Sequence, residues 1–381
     1  MEEQNQNFDD VVSYNQGGFD ISLPEIPLPP ATEKVEEKSK DECEVSFKFA
    51  FVGAGQGGSR IAESFHRLGY RKIAAINTAQ QDLNTVNVPD KLCIGEGGAG
   101  KNPDVAQKLY ADRKEDVLDF LRDSFGETFD RIFVCAGAGG GSGAGTVGPL
   151  VDSALELQKM VKCKSQKVGV ILALPMISEG SKVNANALQT LSKVWKLLEE
   201  GKVSPLILLD NEKINRLYPN LAVGPFWQTA NSSITGLFHL FNLTSARDSS
   251  YSAFDSNDYL QILDSGLIVF GASPVKEWQE ASSLSKAVRD NLSHNMLSGG
   301  LDLSTGNSAG AIMIGGKEIL DNLPQSNLDR AFDQFTRILR PNSIVHRGIY
   351  SGDKPTLTVY TVLGGLGKPT QKLAELEKLS H

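Results

Sequence analysis

The stretch Ala136-Gly-Ala-Gly-Gly-Gly-Ser-Gly-Ala-Gly-Thr146 follows an apolar run, Arg131-Ile-Phe-Val-Cys-Ala136, and precedes a helical pattern from about Thr146 to Val161. Glycine tolerates positive φ and lets backbone approach an anion with no Cβ in the way. At a helix N-terminus, unpaired N–H groups and the helix dipole together hold phosphate. Strand, glycine turn and helix in that order predict a phosphate cradle at the carboxyl edge of a parallel sheet. Two similar turns lie upstream, Gly53-Ala-Gly-Gln-Gly-Gly58 and Gly95-Glu-Gly-Gly-Ala-Gly100. One such loop is weak evidence, but three at the strand ends of one sheet would converge on one ligand.

Outward from these turns, apolar strand runs alternate with helical patterns. Phe47–Val52, Lys72–Ile76, Val168–Leu174 and Leu206–Leu209 read as strands. Ser59–Leu68, Pro103–Phe125 and Ala185–Glu200 read as helices, the second a single long one with Val105, Leu109, Val117, Phe120 and Leu121 on a buried face. This alternation predicts an α/β fold with a Rossmann-like parallel sheet covered on both faces. After Phe226 the rhythm changes. A helix to about Leu243 and a polar stretch, Thr244–Asp255, lead into a short helix. Strands over Leu267–Ser273, Ala311–Ile314, Ser343–Tyr350 and Leu357–Val362, with helices near Val275–Leu292 and Leu328–Leu339, then read as a second, smaller α/β domain. The expected organisation is a tail over 1–46, a ligand-binding domain over 47–225, a central helix and loop over 226–256, a second domain over 257–366 and an extension over 367–381.

The charge is unevenly placed. Residues 1–48 hold 12 acidic and 4 basic side chains, which is the whole of the net −8. The remaining body is neutral and gives no global basic footprint for nucleic acid. No run of about 18 apolar residues is present, so no membrane-spanning helix is expected. The polar, acidic start does not read as a secretory signal. The cysteines, at 43, 93, 135 and 163, form no C-x-x-C, which argues against a zinc or disulfide framework and for a reducing, cytoplasmic setting. Residues 1–46 combine acidity with a Pro24–Pro30 cluster and read as a disordered tail. Within it the apolar-acidic island Phe19–Pro30 reads either as solvated chain or as a docking segment for an adaptor.

The glycine turns admit rival readings. Gly53, Gly55 and Gly58 satisfy G-x-G-x-x-G, but the next strand ends in Asn77-Thr78 instead of the acid that a dinucleotide's ribose needs. Gly95-x4-Gly100-Lys101-Asn102 lacks the final hydroxyl of a P-loop. Ser142 lacks the last glycine of a nucleophile elbow, and none of the five histidines falls in a triad-like setting.

The third loop instead resembles the G-G-G-T-G-[ST]-G signature of the tubulin/FtsZ superfamily, with Ser142 and Ala144 at its two hydroxyl positions. Gly53–Ser59 is similar to the family's first glycine loop. Ala75-Ile-Asn-Thr-Ala-Gln-Gln-Asp-Leu83 resembles A-V-N-T-D-x-x-x-L, with Ala79 in place of the acid. Gly98-Ala-Gly-Lys-Asn-Pro-Asp-Val105 resembles G-A-G-x-N-P-x-V. The matches keep family order and spacing over about residues 47–366. The resemblance implies the tubulin/FtsZ fold, and GTP or GDP with Mg²⁺ bound through Gly55, Gln56, Gly57, Gly58, Asn77, Gly98, Ala99, Gly100 and Asn102. The signature loop would add Gly137, Gly139, Gly140, Gly141, Ser142 and Gly143. Glu179 would meet the ribose, although the Arg expected four residues later is Val183. Asn211 would contact the nucleotide, Trp227 would stack on guanine and Asn231 would bond its edge.

The resemblance further implies that Asp255 and Asp258 are catalytic, entering the nucleotide pocket of the next subunit to position or activate water, so no protein metal site is expected. Two carboxylates three residues apart at a helix start are, equally, an inert cap. The chain is thus expected to be a filament-forming GTPase, serving cell division, DNA partition or virion positioning through head-to-tail self-association. The acidic extension before the core favours a divergent member over a standard division-ring protein. A hydrolysis-deficient scaffold, suggested by Ala79, Val183 and Ala253, and a non-polymerising GTP-binding regulator are the alternatives. Deleting residues 1–46 should leave GTP turnover and sedimentable filaments intact. A truncated chain that fails to fold or polymerise would make the tail structural.

Overall fold

The computed structural model describes residues 45–381; residues 1–44, with the Phe19–Pro30 segment, lie outside the described residues. Strand β1 (Phe49–Ala54), helix α1 (Gly55–Arg67), β2 (Ile73–Asn77), α2 (Gln80–Asn84) and β3 (Asp90–Cys93) open the chain. α3 (Pro103–Asp112), α4 (Lys114–Phe125), β4 (Arg131–Gly137), α5 (Ser142–Met160), β5 (Val168–Leu174), α6 (Ser181–Glu199) and β6 (Val203–Asp210) continue the alternation. Then come α7 (Asn211–Leu217), α8 (Val223–Thr244), α9 (Ser256–Leu263), β7 (Leu267–Val275), α10 (Ser283–His294) and β8 (Ser308–Gly316). α11 (Lys317–Asn322), α12 (Gln325–Ile338), β9 (Ile344–Gly352), β10 (Leu357–Leu366) and α13 (Thr370–Leu379) complete it.

All ten strands form one sheet, in the order β3-β2-β1-β4-β5-β6-β7-β10-β8-β9. The first six are parallel, as apolar runs such as Phe49–Ala54 and Leu206–Leu209 require when both faces are covered. β7 continues the sheet through only two parallel pairs, Leu206↔Leu267 and Ile207↔Ile268. β10 then runs antiparallel to both β7 and β8, and β9 lies parallel to β8 at the edge. The second half is thus joined edge-on to the first by a short seam. Buried Arg131 of β4 reinforces it, donating to the carbonyls of Ser204 (2.9 Å) and Leu263 (3.3 Å) and pairing with Asp264 at 2.7 Å.

Period-2 alternation sorts β1 between the two faces. Ala50, Val52 and Ala54 join the core under α3 to α6, whereas Phe49 and Phe51 join the one under α1 and α8. On that second face the Phe238 ring of α8 lies 5.1–6.4 Å from those of Phe49, Phe51, Phe65, Phe133, Tyr259 and Phe270. Near its end, Asn242 clasps Phe47 through both backbone groups, at 3.0 and 2.9 Å.

Several element boundaries differ from the sequence expectation, three of them for a clear reason. The long helix Pro103–Phe125 is two helices, broken at Arg113 (φ −122°, ψ 21°), whose side chain reaches the Cys93 carbonyl and Asp116. Apolar spacing runs through the break, so periodicity does not reveal it. Val275 ends β7, where it pairs with Leu357, and the helix expected from that point begins only at Ser283. α5 starts at Ser142 inside the glycine run, not at Thr146.

Burial also sets a pH dependence. His239 of α8 is 5% exposed, with Nδ1 3.3 Å from Tyr70 Oη. Loss of solvent, with Arg247's charge as a smaller cause, pushes the imidazole down from the ordinary 6.5 to about 4. Between those values the unfolded chain binds a proton that the folded chain refuses, so stability falls as pH drops through the window. At pH 5 the loss relative to pH 7 should be about 2 kcal/mol from this residue. Urea unfolding of wild type and His239→Gln at both pH values checks it: the variant should lose less stability than the wild type.

Candidate functional site

A cavity of about 510 Å³ opens at the carboxyl ends of β1, β4 and β5, and the three glycine turns meet there. Its wall takes Gly55, Gln56 and Gly57 from the first turn and Gly98, Ala99 and Gly100 from the second. Gly137, Gly139, Gly140, Gly141, Ser142 and Gly143 come from the third. Glu179, Asn211, Trp227 and Asn231 complete the set from later elements. Most residues singled out in the sequence thus share one concave surface.

The turns can meet because two of them lack side chains at their contacts. A Cβ on Gly58 would sit 2.0 Å from the Cys135 carbonyl oxygen, and Gly55 has φ +66° beside Gly143. Thr78, just after β2, links the second and third turns: its Oγ1 lies 2.7 Å from Ser142 Oγ, and its carbonyl accepts from the Gly98 N–H at 3.0 Å. Asn186, 3% exposed, adds a bond from its amide to the Gly139 carbonyl (3.1 Å) and another to that of Lys101 (3.0 Å). Sequence reasoning missed Asn186, which has no motif around it and acts from the second turn of α6.

Gly58, Asn77 and Asn102 do not line the cavity. Gly58 is the packing contact just described. Asn77 is 1% exposed, donates to Asp82 at 3.2 Å and accepts from the Thr78 N–H at 2.8 Å. Asn102 caps α3 by accepting from the Asp104 N–H. Asn77 shapes the chain after β2 from within, whereas Asn102 acts at the surface as a helix cap. Conversely, Arg60, Lys101 and Asp82 line the cavity and were missed; Lys101 directly follows a turn glycine, which was the available signal.

At the far wall, Trp227 and Asn231 lie four apart on one face of α8, and Asn211 opens α7. The Asn211 Oδ1 atom is buried with no hydrogen-bond partner in the protein, so this wall offers an acceptor that a planar polar ligand edge can satisfy. Val183 is packed against Gly139, occupying the place of the missing Arg. Behind Asn211, buried Asp210 caps α7 and pairs with Lys372 of α13 at 2.7 Å. Burial alone would lower the Lys372 ammonium, but Asp210 and Glu375 raise it overall. The last helix is thereby tied to the floor of the site.

Asp255 and Asp258 lie outside this cavity. They form a reciprocal cap on α9: Asp255 Oδ1 accepts from the Asp258 N–H (2.9 Å), and Asp258 Oδ2 from the Asp255 N–H (3.2 Å). From Asn231 to the end of α8 at Thr244 the rise is about 20 Å. That helix therefore carries the acids toward the opposite, amino edge of the parallel strands, where Ser46 and Phe47 meet its end. Among the described residues, no group of three or more His, Cys, Asp or Glu is placed to hold a metal ion, and no helix is long and apolar enough to cross a membrane.

Comparison with known proteins agrees with this architecture. Residues 48–219 match the family described as Tubulin/FtsZ family, GTPase domain. This part of the chain is similar to the tubulin/FtsZ-family GTPase domain. The tubulin-like protein TubZ of Bacillus cereus is 25% identical over 242 residues, covering 58% of this chain and 53% of the relative. The cell division protein FtsZ of Aquifex aeolicus is 30% identical over 177 residues, covering 45% and 44%. The chain therefore spans about half the length of the curated relatives it matches. The fold extends further. A GTPγS-form protofilament of TubZ from Bacillus thuringiensis serovar israelensis superposes with TM-score 0.76 at 20% identity, over 88% of this chain and 92% of that one. CetZ2 from Haloferax volcanii, a GTPγS-bound protofilament, gives TM-score 0.71 at 19% identity, over 87% and 97%.

Proposed function

We propose that this chain is a GTPase that assembles head to tail and hydrolyses GTP at the junction between subunits. The observation that carries the reading is the split: a glycine-walled cavity at one end of α8 and a carboxylate pair at the other. Glycine-turn N–H groups and the N-terminus of α5 would hold the phosphates, while Arg60 and Lys101 add positive charge to the same wall. Trp227 would stack on guanine, Asn231 and Asn211 would bond its polar edge, and Glu179 would meet the ribose. Asp82 and Glu179 are the carboxylates on the cavity wall, so Mg²⁺ would be held chiefly by phosphate oxygens. The ion would neutralise charge that develops on the phosphates.

The chemistry then needs an oriented water more than a covalent partner. Water attacks the γ-phosphorus, the bond to the β–γ bridging oxygen breaks, and GDP and inorganic phosphate leave. Asp255 and Asp258, reaching in from the neighbouring subunit, would orient that water and accept its proton. Hydrolysis would then depend on assembly and time the life of a polymer. Residues 47–225 would act as the nucleotide domain, 226–256 as the connecting helix and loop, and 257–366 as the part presented to the next subunit. A cytoplasmic filament for division, DNA partition or virion positioning fits this design. An adaptor on Phe19–Pro30 would link it to cargo. A second reading, a scaffold that binds GTP without hydrolysis, is favoured by the mutual capping of both acids and by Ala79, Val183 and Ala253.

Nucleotide choice tests the base end. GTP should displace a fluorescent GTP analogue far better than ATP does, and Asn231→Ala should weaken GTP by roughly 1–3 kcal/mol. Equal competition by ATP would remove the guanine assignment. The acids are tested separately. Asp255→Ala and Asp258→Ala should abolish phosphate release while GTP affinity stays unchanged, giving filaments that assemble and persist in light scattering. Mixed with wild type, they should slow its disassembly. Turnover per subunit that stays flat across protein concentration would rule out a shared site.

A further inference from the structure

The loop that carries the acids is laid along edge strand β9. The Ile349 N–H donates to the Ser252 carbonyl at 2.8 Å, and Ser252 Oγ donates to the Arg347 carbonyl at 3.3 Å. Ser249 Oγ donates to the Ile349 carbonyl, and the Phe254 N–H to Tyr350 Oη at 2.9 Å. Phe254, immediately before Asp255, is fully buried against Gly348 and Gly310, where added Cβ atoms would come within 2.8 Å and 2.9 Å of it.

The same face of β9 carries His346, whose Nδ1 lies 2.7 Å from Asp258 Oδ1. Its Nε2 meets Gln261 Oε1 at 3.0 Å, and the ring stands edge-on to Phe254 at 6.4 Å. Gln261 carries both a donor and an acceptor, so it satisfies Nε2 in either form of the ring and leaves Nδ1–H for the carboxylate. The histidine side chain is 12% exposed and that of Asp258 25%, so the ring is sheltered while the carboxylate still meets solvent. Asp258 then has Oδ1 held by the ring and Oδ2 by the Asp255 N–H, with a free acceptor site remaining on each oxygen. That leaves it able to hold a water in a fixed direction.

We propose that His346 is the positioning residue of Asp258: from β9 it fixes the orientation in which the carboxylate is offered to the neighbouring subunit's nucleotide. The inference rests on the role of Asp258 proposed above. Misorientation by about 1 Å is enough to slow an otherwise complete site. Without the ring, the carboxylate would be held only through Oδ2 and could pivot about that one bond, leaving Oδ1 without a fixed direction.

The test uses the full chain, with GTP turnover, affinity for a fluorescent GTP analogue and sedimentation with GTPγS measured together. His346→Ala should lower turnover roughly 10- to 100-fold. Its nucleotide affinity and GTPγS-dependent sedimentation should stay at wild-type values. His346→Asn, whose amide nitrogen falls where Nδ1 stood, should recover most of the rate. Adding His346→Ala to Asp258→Ala should slow it no further. Wild-type turnover in His346→Ala, beside an inactive Asp258→Ala, would overturn the positioning role alone. An asparagine variant as slow as the alanine one, or a loss of sedimentation in proportion to turnover, would make His346 a packing residue and also overturn it. Normal turnover in Asp258→Ala would instead overturn the underlying reading, and the inference with it.

Discussion

Helix α8 has to be a rigid rod for the rest of the molecule to make sense. Its N-terminal third lines the cavity through Trp227 and Asn231, and its C-terminal end hands the chain to the acid-bearing loop. A 22-residue helix has a fixed length of about 33 Å, so the two halves of the proposed chemistry cannot meet within one chain. The rod is held against the sheet by aromatic rings with Phe238 at their centre. Such contacts favour offset and edge-to-face geometries and resist sliding. Most of a helix's stability in a folded protein comes from tertiary packing, here the burial of this face.

At the cavity end the governing physics is close approach. Three turns from separate parts of the chain can crowd around one volume because Gly58 and Gly55 put no atoms between them. Bare glycine turns would be loose, and the structure counters that with polar cross-links of low exposure. Thr78 bonds to Ser142 of the third turn and to Gly98 of the second, and the Asn186 amide reaches Gly139 and Lys101, where partial shielding from water strengthens each bond. A further tie runs from Lys372 through Asp210 to Asn211, so the last helix of the chain bears on the cavity floor.

At the opposite end, capping and function are compatible. The Asp255–Asp258 cap satisfies backbone N–H groups that any helix start leaves open, which is the inert reading of this spacing. Yet each carboxylate keeps acceptor capacity beyond the cap, and the loop is pinned along β9 well beyond what capping needs. Two parallel residue pairs and the Arg131 bonds join the halves of the sheet, so the cavity and the acid loop sit on one continuous frame.

The glycine turns, their order and the Trp227–Asn231 spacing were legible in the sequence, because positive φ, absent Cβ atoms and helical periodicity are properties of the local chain. From these the α/β class and the cavity-forming loops followed, whereas the candidate base-contacting pair came from the resemblance to the tubulin/FtsZ family. The break at Arg113 and the continuation of β7 through Val275 were not legible, since a carbonyl at the end of β3 and a partner strand about 80 residues later decide them. Nor were the buried role of Asn77, the capping role of Asn102, the bridge from Asn186, or the contact of His346 with Asp258, 88 positions apart in the chain. Local sequence sets what each segment prefers to be. Which polar groups find one another is set only when the sheet, and α8 across it, bring distant segments into register.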